Sequence, residues 1–485
     1  MFFCLRLKEP MTKEYKFLIN GEWRRSSIKE AIKNPYNNET VAEVYFAEEA
    51  DLEDAVKSSQ RAFEITRKLP AYKRADILKN IVRGLEQRKE ELAKTITLEA
   101  GKPITDSRGE VSRTINTFQI ASEEAKRIEG EVIPLDLMQG SEGRLGIVRR
   151  FPIGPILGIT PFNFPLNLVA HKVAPAIASG NTIILKPAPK TPITAILLGE
   201  IATEAGLPAG ALNVIPCSNL LAEKLVTDDR IKKLSFTGSA AVGFKLKAKA
   251  GMKKITLELG GNAGVIIHSD ADIDSAAKRC TIGGFSYAGQ ICISVQRIYV
   301  QKNIYGEFLD KFLANIKKLR MGDPMDESTN IGPMIEQGAS QRTEEWLNEA
   351  IKDGAKILTG GKRNGNFFEP TVLTNTKPSM KVCGEEVFAP LVTVEQYDKF
   401  EESVVMVNNS LYGLQAGLFT RDIKNIFYAY NEIEVGGVIV NDIPTYRIDH
   451  MPYGGVKMSG FGREGIRYAI NEMTELKLLA MNLLG

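Results

Sequence analysis

Cys292 lies in a turn of small, uncharged residues, within the segment 287–294 (YAGQICIS). No other cysteine is close enough in sequence to pair with it. A thiol that only packs is usually an inert apolar group, whereas a nucleophile needs a reachable position and a stabilised thiolate. Gly289 permits a backbone path that a Cβ would forbid, and Gln290 and Ser294 make a poor apolar core. The segment predicts a reactive cysteine, with a structural cysteine as the alternative.

Four candidate strands end in unusual loops, and open parallel sheets bind ligands at the carboxyl ends of their strands. Residues 160–165 (TPFNFP) place Asn163 between two aromatic rings and two prolines. Because the prolines stiffen this loop, the Asn163 amide can be held as a donor to an oxyanion. The alternative is an asparagine that satisfies its own turn. Lys186 ends another strand directly before Pro187, and its charge either points out of the sheet edge or is simply solvated.

The other two strand ends combine glycines with a small or an acidic side chain. Residues 236–243 (FTGSAAVG) run from a strand into a helix, and their small side chains would let a phosphate approach the helix N-terminus. An ordinary N-cap turn looks similar. Glu258 ends an apolar strand before two glycines. Burial would raise its pKa and favour a general base, and the flanking leucines disfavour the alternative of a surface glutamate.

The elements that must position these residues alternate along the chain. Apolar periodicity predicts helices over 51–65, 71–97 and 104–128, followed by a strand pair at 131–134 and 146–150. From 151 to 260, predicted strands and helices alternate at 156–159, 168–177, 182–185, 194–205, 211–215 and 233–236. A second alternating region covers roughly 261–440, and 474–484 is strand-like. This pattern predicts an α/β fold with parallel βαβ units. A G-x-G-x-x-G match at 460–465 follows no convincing strand and is rejected as a dinucleotide fingerprint.

Composition narrows the class of protein. A chain of 485 residues with 44% hydrophobic and 25% charged residues predicts a globular, soluble protein of two or three domains. The net charge of +3 comes without a long run of lysine and arginine, which argues against a nucleic-acid partner. Five scattered cysteines and three histidines predict a reducing, cytoplasmic location with no disulfide framework and no metal site. Residues 1–7 are too short for a signal or membrane segment, and Met11 is an alternative start to Met1.

Seven motifs occur in the order and spacing of the aldehyde dehydrogenase superfamily. They are the Asn163 loop, Lys186-Pro187, 236–239 (FTGS), 258–261 (ELGG), 289–292 (GQIC), 385–390 (EEVFAP) and 452–460 (PYGGVKMSG). The match runs from about Phe17 to the C-terminus. Within the superfamily the sequence most resembles the branch of lactaldehyde and non-phosphorylating glyceraldehyde-3-phosphate dehydrogenases.

The resemblance implies an architecture of two doubly wound, Rossmann-like parallel-sheet domains with an oligomerisation β arm. Residues 11–128 and 151–259 would form the cofactor-binding domain, and 260–470 the catalytic domain. The arm would comprise 129–150 and 471–485. Relatives use this arm to form dimers and tetramers, and its open strand edges make such pairing physically reasonable.

The resemblance also implies catalytic roles. Cys292 would attack the aldehyde carbon, and the Asn163 amide with the Cys292 backbone N–H would hold the oxyanion. Hydride transfer would leave a thioester, which Glu258 would hydrolyse by activating water. Lys172 and Glu464 match a proton relay of relatives.

The implied cofactor is a nicotinamide dinucleotide. Lys186 would bind the adenosine ribose, Ser239 the pyrophosphate and Glu386 the nicotinamide ribose, with Phe388 near the nicotinamide. The candidate cofactor-binding residues are Thr160, Pro161, Phe162, Lys186, Pro189, Lys190, Phe236, Gly238, Ser239, Leu259, Glu386 and Phe388. Pro189 and Lys190 replace the acid that many NAD-preferring relatives carry, which favours NADP over NAD on Coulomb grounds. Residues 217–221 (CSNLL) lack the glycines common there, so the adenine-side wall is expected to differ.

Substrate choice depends on two arginines. Ile291 stands where phosphate-specific relatives have an arginine, which disfavours glyceraldehyde-3-phosphate. Arg113 and Arg447 could nevertheless clamp a phosphate or carboxylate, unless Arg113 is only part of an exposed helix face. We expect a small polar or anionic aldehyde, among lactaldehyde, glyceraldehyde, glyceraldehyde-3-phosphate and succinic semialdehyde. The alternatives are a CoA-acylating dehydrogenase, whose relatives usually lack the general-base glutamate, and a non-catalytic cofactor-binding member.

Overall fold

The computed structural model describes residues 13–483. Met1, Cys4, Met11 and the last residue of the predicted C-terminal strand lie outside the described residues. The first half of the described chain contains, in order, β1 (Glu14–Tyr15), β2 (Phe17–Ile19), β3 (Glu22–Arg24), β4 (Ile28–Lys33), β5 (Thr40–Phe46), α1 (Glu49–Thr66), α2 (Ala71–Gln87), α3 (Lys89–Ala100), α4 (Ile104–Glu124), β6 (Glu131–Pro134), β7 (Arg144–Pro152), β8 (Pro155–Ile159), α5 (Asn167–Ser179), β9 (Thr182–Lys186), α6 (Ile193–Glu204), β10 (Leu212–Val214), α7 (Asn219–Thr227), β11 (Lys233–Thr237), α8 (Ala240–Lys249) and β12 (Lys254–Glu258).

The second half continues the alternation of strands and helices. It contains, in order, β13 (Ala263–Ile267), α9 (Ile273–Phe285), β14 (Val295–Gln301), α10 (Tyr305–Ile316), α11 (Gln337–Lys352), β15 (Lys356–Thr359), β16 (Arg363–Asn364), β17 (Phe367–Phe368), β18 (Thr371–Thr374), α12 (Lys381–Gly384), β19 (Leu391–Tyr397), α13 (Phe400–Asn408), β20 (Tyr412–Gly413), β21 (Gln415–Phe419), α14 (Ile423–Glu432), β22 (Gly437–Val440), β23 (Val456–Lys457), β24 (Gly460–Phe461), α15 (Ile466–Glu472) and β25 (Thr474–Asn482). None of the helices within residues 13–483 has the length and apolar character needed to cross a bilayer.

The first large sheet has the strand order β24-β12-β11-β8-β9-β10-β2-β3. The five strands from β12 to β10 are parallel, which confirms the predicted α/β class with parallel sheets. Both faces of the sheet are buried, because Ile183 and Leu185 of β9 pack in one apolar core and Ile184 in another. The edge strands β24, β2 and β3 are antiparallel, since they arrive without a helical crossover.

The second large sheet has the order β15-β18-β19-β14-β13-β21-β22, with only β15 antiparallel among its seven strands. Its two faces are buried in the same way, with Val265 and Ile267 in one core and Ile266 in another. The first sheet also takes β24 from the segment 260–470 that we assign to the catalytic domain. The proposed domain division stays a prediction.

The segments predicted to form the arm contribute a three-stranded sheet, in the order β25-β7-β6. β25 pairs with β7 along its whole length, from Thr474 opposite Pro152 to Asn482 opposite Arg144. Leu476, Leu478 and Leu479 of β25 are each more than half exposed. Within residues 13–483, β25 is an edge strand that exposes these apolar side chains.

One predicted helix is wrong in its extent. Residues 71–97 form two helices, because the backbone at Arg88 (φ −105°, ψ 18°) leaves the helical region. Leu85 and Leu92 on either side of the break are both buried and stand seven residues apart. That spacing equals two helical turns, so the apolar period continues across a break that it cannot reveal.

Strand register brings the four unusual loops to one edge of the first sheet. Ile159 at the end of β8 lies beside Lys186 of β9 and beside Phe236 of β11. Thr237, the last residue of β11, lies beside Glu258 of β12. The loops after these strands therefore converge on one cleft.

Candidate active site

The loop that carries Cys292 begins with an unusual turn. After α9, residues Ser286–Gly289 form a short 3₁₀ segment in which Tyr287, Ala288 and Gly289 all have positive φ angles of 48°, 52° and 68°. Left-handed backbone is costly for residues other than glycine and persists where its surroundings impose it. Here the Tyr287 hydroxyl donates to the Ala100 carbonyl at 2.9 Å, and the Tyr287 backbone N–H donates to the half-buried Asp106 carboxylate. Residues from α3 and α4 thus hold the approach to Cys292.

Glycines on a neighbouring loop allow the Cys292 backbone to come close. A Cβ on Gly261 would lie 2.1 Å from the Cys292 carbonyl oxygen, and one on Gly289 would lie 2.2 Å from the Ala389 carbonyl oxygen. No side chain could be accommodated at either position without moving backbone. Of the paired glycines after Glu258, Gly261 therefore makes room for the Cys292 loop, and Gly260 lines the cavity described below.

The Cys292 thiol faces Tyr453. The distance from Cys292 Sγ to Tyr453 Oη is 3.0 Å. Burial raises the pKa of Cys292 to about 11, although the Tyr453 hydrogen bond and the charge of Arg447 act in the opposite direction. At neutral pH the resting group is therefore a thiol, and attack requires its proton to be removed.

Asn163 lies beside this thiol, in the loop between β8 and α5. Its Nδ2 donates to the Gln290 carbonyl oxygen at 2.9 Å, and its buried Oδ1 has no partner among the described residues. A carboxamide nitrogen carries two hydrogens, so one remains for an oxyanion. Lys102 links this loop to the Cys292 loop, because its Nζ lies 3.7 Å from the Phe164 ring centroid and 4.6 Å from that of Tyr287.

Two buried carboxylates near the thiol have pKa values shifted in opposite directions. Burial and the neighbouring negative charge of Glu464 raise the pKa of Glu258 well above its usual range, and neither Glu258 oxygen has a partner within residues 13–483. Burial would also raise the pKa of Glu464, but the charges of Lys172 and Arg447 lower it to about 2. Burial therefore favours the protonated form of Glu258, whereas the neighbouring cations keep Glu464 ionised.

Lys172 connects α5 to these groups. It is fully buried, and its Nζ donates to Glu464 Oε1 at 3.1 Å, to Thr237 Oγ1 at 2.8 Å and to Ser235 Oγ at 3.2 Å. The structure thus brings together the two residues that the sequence resemblance assigns to a relay. Through Thr237, Lys172 contacts the end of β11, one strand from Glu258 at the end of β12.

The two candidate substrate arginines are both paired. Arg447 is buried, its Nη2 donates to Glu464 Oε2 at 3.1 Å, and its guanidinium carbon lies 3.6 Å from the Tyr453 ring centroid. Its buried Nε has no partner among the described residues. Arg113 Nη2 donates to Asp449 Oδ1 at 2.7 Å. Arg113 is therefore part of an ion pair with the loop that carries Arg447, and it is more than a solvated helix face.

Asp449 ties that loop to α5. His171 Nε2 lies 2.9 Å from Asp449 Oδ1, and Asn167 Nδ2 donates to the same oxygen at 3.2 Å. Burial opposes the charge, yet the His171 hydrogen bond and Arg113 hold the pKa of Asp449 well below its usual range. Asp449, His171 and Tyr453 carry no sequence signal that distinguishes them as site residues, apart from the position of Tyr453 inside the 452–460 motif.

A cavity of about 590 Å³ runs from Cys292 along the loops of the first sheet. It is lined by most of the predicted cofactor residues, namely Thr160, Pro161, Phe162, Lys186, Pro189, Phe236, Gly238, Ser239, Leu259, Glu386 and Phe388. Lys190 is not among its lining residues. Its Nζ lies 2.5 Å from Glu336 Oε2, so part of the positive charge behind the predicted NADP preference is already neutralised.

The two ends of this cavity differ in chemistry. At one end, the buried Lys186 ammonium donates to Asn219 Oδ1 at 2.7 Å, and burial lowers the pKa of Lys186. At the other end, burial raises the pKa of Glu386 to about 7, and its Oε1 accepts the Gly261 N–H at 2.8 Å. The Phe388 backbone has a φ of 53°, and its ring meets Phe162 edge to face at 6.0 Å.

The segment that lacks the common glycines starts a helix instead. Ser218 is the N-cap of α7, and its hydroxyl accepts the Leu221 N–H at 3.2 Å. This cap turns Asn219 toward Lys186. Asn219 and Glu223 of the same helix line the cavity and were missed from the sequence, because only the fold brings α7 against β9.

The cavity fits a dinucleotide. Ser239 stands at the N-cap of the ten-residue helix α8, but its side chain makes no capping hydrogen bond, so the first N–H groups of α8 remain available to a phosphate. The volume and the buried Lys186 at one end agree with such a ligand. The chemistry of both ends and of the helix terminus therefore supports a nicotinamide dinucleotide.

Comparison with known proteins decides the family. The sequence pattern described as "Aldehyde dehydrogenase family" matches residues 23–479. The chain belongs to the aldehyde dehydrogenase family. This confirms the resemblance found in the sequence, and the protein is an NAD(P)-dependent aldehyde dehydrogenase.

Three similar proteins represent the relatives of this aldehyde dehydrogenase. A 3-sulfolactaldehyde dehydrogenase of Priestia aryabhattai is 48% identical over 472 residues, which are 97% of this chain and 98% of the relative. The crystal structure of aldehyde dehydrogenase 21 from Physcomitrella patens in complex with the reaction product succinate has a TM-score of 0.96 and 45% identity, and the match covers 98% of this chain and 100% of that one. The crystal structure of a glyceraldehyde-3-phosphate dehydrogenase from Methanocaldococcus jannaschii complexed with NADP has a TM-score of 0.90 and 39% identity, with 94% and 100% covered.

Proposed function

We propose that this aldehyde dehydrogenase oxidises a small aldehyde that carries a second, anionic group, and that Arg447 recognises this group. The observation that carries the proposal is the unpartnered Nε of the buried Arg447 guanidinium. A buried cationic donor without a partner is costly, and an anionic ligand would satisfy it. Arg447 stacks on Tyr453, whose hydroxyl touches Cys292 Sγ, so the anion would lie one side chain away from the reacting carbon.

The relatives support the same class of substrate. One of them is named for 3-sulfolactaldehyde and another binds succinate as its product, and both molecules carry an acid group separated by two carbons or fewer from the carbon that is oxidised. Arg113 would assist, because it is bonded to Asp449 within the same loop as Arg447. A sulfonate or carboxylate two to three carbons from the aldehyde suits this arrangement better than a neutral chain.

Acylation is assigned to Cys292 and Asn163. Cys292 Sγ forms a bond to the aldehyde carbon after its proton has left, and the carbonyl oxygen becomes an oxyanion. The free N–H of Asn163 and the Cys292 backbone N–H would stabilise this charge, and each such donor typically contributes about 10²–10³ in rate. The nicotinamide cofactor accepts a hydride when bound. On the protein side, collapse of the oxyanion leaves a thioester on Cys292.

Deacylation is assigned to Glu258. Its carboxylate takes a proton from water, the oxygen of that water attacks the thioester carbon, and the Cys292 sulfur leaves as thiolate. Lys172 and Glu464 would carry the proton onward, a role supported by their 3.1 Å contact. Because burial and Glu464 raise the pKa of Glu258, the base is present in a growing fraction of the enzyme as pH rises.

NADP is the preferred cofactor in this proposal. Support comes from Pro189, which replaces a repelling acid, and from lysines beside the cavity. Lys190 and Lys245 are bonded at 2.5 Å to Glu336 and Glu223, which line the cavity. A 2′-phosphate would compete with these glutamates for the lysines, so its gain is smaller than two free ammonium groups would give. The ratio of kcat/KM for NADP and NAD tests this preference.

The assembly and location also belong to the proposal. The exposed leucines of β25 and its open edge support a homodimer or homotetramer formed through the arm. Cys217, Cys280, Cys292 and Cys383 are all free thiols, which supports the predicted reducing, cytoplasmic environment. Light scattering of the purified chain measures the assembly directly.

Matched substrates test the proposed function. Initial rates of NADP and NAD reduction would be compared for 3-sulfolactaldehyde against lactaldehyde, and for succinic semialdehyde against butanal, since each pair differs mainly in the acid group. We expect kcat/KM to be at least ten times larger for the aldehyde that carries the acid group in each pair. Equal values within both pairs would refute anion recognition, and turnover only with added CoA would replace hydrolysis by CoA acylation.

A further inference from the structure

The contact between Cys292 and Tyr453 has no role in the mechanism above. We propose that the Tyr453 hydroxyl is a hydrogen-bond donor to the Cys292 thiolate, and that it activates the nucleophile for attack. The inference rests on the proposed role of Cys292. It assigns to Tyr453 direct contact with the reacting sulfur at 3.0 Å.

Geometry limits the partners that each group can use. Tyr453 is buried, and its Oη is bonded to no other described group than the thiol. The backbone N–H of Tyr453 donates to the Glu464 carbonyl, and its carbonyl accepts the Glu464 N–H, which fixes the ring in place. The sulfur likewise has Tyr453 as its one hydrogen-bonding side chain within residues 13–483. The two groups are therefore preorganised for each other.

Charges around the ring set the direction of the hydrogen bond. The Arg447 guanidinium lies 3.6 Å from the ring centroid, and a cation over an aromatic face withdraws electron density from it. This favours a phenol that gives its hydrogen. Burial also raises the pKa of Tyr453 well above its usual range, which favours the protonated phenol. The remaining ionisable groups that face the sulfur are Glu386 and Glu258, whose negative charges oppose the thiolate.

Of the two groups, only the thiol loses its proton. The thiol gives its proton to the Glu258 carboxylate, whose charge acts on the sulfur, and the phenol then donates its O–H to the sulfur lone pair without transferring it. When the sulfur bonds to the aldehyde carbon, that lone pair is used and the hydrogen bond weakens. When the thioester is hydrolysed, the leaving thiolate regains the bond, so Tyr453 stabilises the sulfur in both half-reactions.

The test measures the reactivity of the Cys292 thiolate without substrate. Full-length protein would be treated with iodoacetamide between pH 7 and 9.5, and alkylation of the Cys292 peptide followed by mass spectrometry. In Tyr453→Phe we expect the rate at each pH to fall about 10- to 100-fold, because a hydrogen bond to a charged acceptor is lost. The matched control is Tyr397→Phe, which removes a buried hydroxyl bonded to His268, far from the sulfur in the second sheet. Its alkylation rate should stay within twofold of the wild type.

A second variant keeps the shape of the ring. Replacing Tyr453 with 3-fluorotyrosine makes the phenol a stronger donor, so alkylation at a given pH should become faster than in the wild type. An unchanged or faster rate in Tyr453→Phe, or a slower rate with 3-fluorotyrosine, would overturn the inference. Cys292→Ser distinguishes a failure of the proposed function from a failure of the role of Tyr453 alone. Retained aldehyde turnover in that variant would refute the proposed function itself, whereas its loss, with normal alkylation in Tyr453→Phe, would remove only the role of Tyr453.

Discussion

Arg447→Lys tests anion recognition with little disturbance of the buried charges. Removing the cation altogether would take away one of the two cations bonded to the Glu464 carboxylate, and breaking a buried ion pair is strongly destabilising. Lysine keeps one positive charge near Glu464. It removes the unpartnered Nε and the planar arrangement that allows one guanidinium to bind two acids at once. The substitution therefore tests recognition of the substrate anion separately from the ion pair with Glu464.

The expected fall in kcat/KM follows from the loss of one hydrogen bond between the guanidinium and the anionic group of the substrate. A hydrogen bond to a charged group contributes about 1.5–3 kcal/mol, which corresponds to about 10- to 150-fold in kcat/KM at about 1.4 kcal/mol per decade. We expect this loss for 3-sulfolactaldehyde and succinic semialdehyde. For lactaldehyde and butanal, kcat/KM should change less than threefold, since neither molecule carries an acid group for the guanidinium.

The assay is reduction of NADP at saturating cofactor, with both substrate classes measured on one preparation. Arg113→Lys serves as the companion variant, because Arg113 is half-exposed and already bonded to Asp449, and it should lose less than Arg447→Lys. An equal fall for charged and neutral aldehydes would show that Arg447 acts through the scaffold or through Glu464. No fall for the charged aldehydes would place anion recognition elsewhere.

Three other perturbations give distinct signatures. Glu258→Gln should accumulate the thioester on Cys292, visible by mass spectrometry, with a burst of one nicotinamide per site and steady-state turnover lowered about 10²- to 10⁴-fold; full turnover would remove Glu258 from the role of base. Asn163→Ala should lower kcat about 10²- to 10³-fold while NADP affinity, measured by fluorescence titration, stays unchanged. A loss of affinity instead would make Asn163 a cofactor residue. Glu99 accepts the Ile193 and Thr194 N–H groups at the start of α6, and burial raises the pKa of Glu99 to about 7. Its contribution to the free energy of unfolding is therefore present below about pH 4.5 and lost as pH rises to about 7, by about 3 kcal/mol in total. Denaturant midpoints of the wild type, relative to Glu99→Gln, should fall over that interval, and a constant difference would contradict the prediction.

Local sequence predicted which strand ends carry candidate site residues. Asn163 and Glu258 lie beside prolines or glycines that follow strand ends, and strand register brings those ends to one edge of the first sheet. Cys292 lies beside Gly289, shortly before β14 of the second sheet. The apolar flanks of Glu258 also predicted its burial, and with it the raised pKa.

Long-range pairing could not be predicted in the same way. The contact of Lys186 with Asn219, of Arg447 with Glu464 and of Cys292 with Tyr453 joins residues 17 to 161 positions apart. Each pairing depends on how loops fold back on the sheets, and neither propensity nor periodicity records that. Lys190 is an example. The sequence predicts that its charge favours NADP, but it does not reveal that Glu336 lies 2.5 Å away and partly neutralises that charge.

The left-handed turn before Cys292 has a consequence for how the enzyme loses activity. Its unfavourable backbone is maintained by the Ala100 carbonyl and the Asp106 carboxylate, which belong to the helical region covering the first sheet, whereas Cys292 itself leads into the second. A slight separation of these layers would release the turn toward ordinary backbone angles and misplace the sulfur before any strand or helix melts. Thermal inactivation should therefore precede the loss of circular dichroism, and a fragment that begins at residue 260 would carry the nucleophile in an unsupported loop.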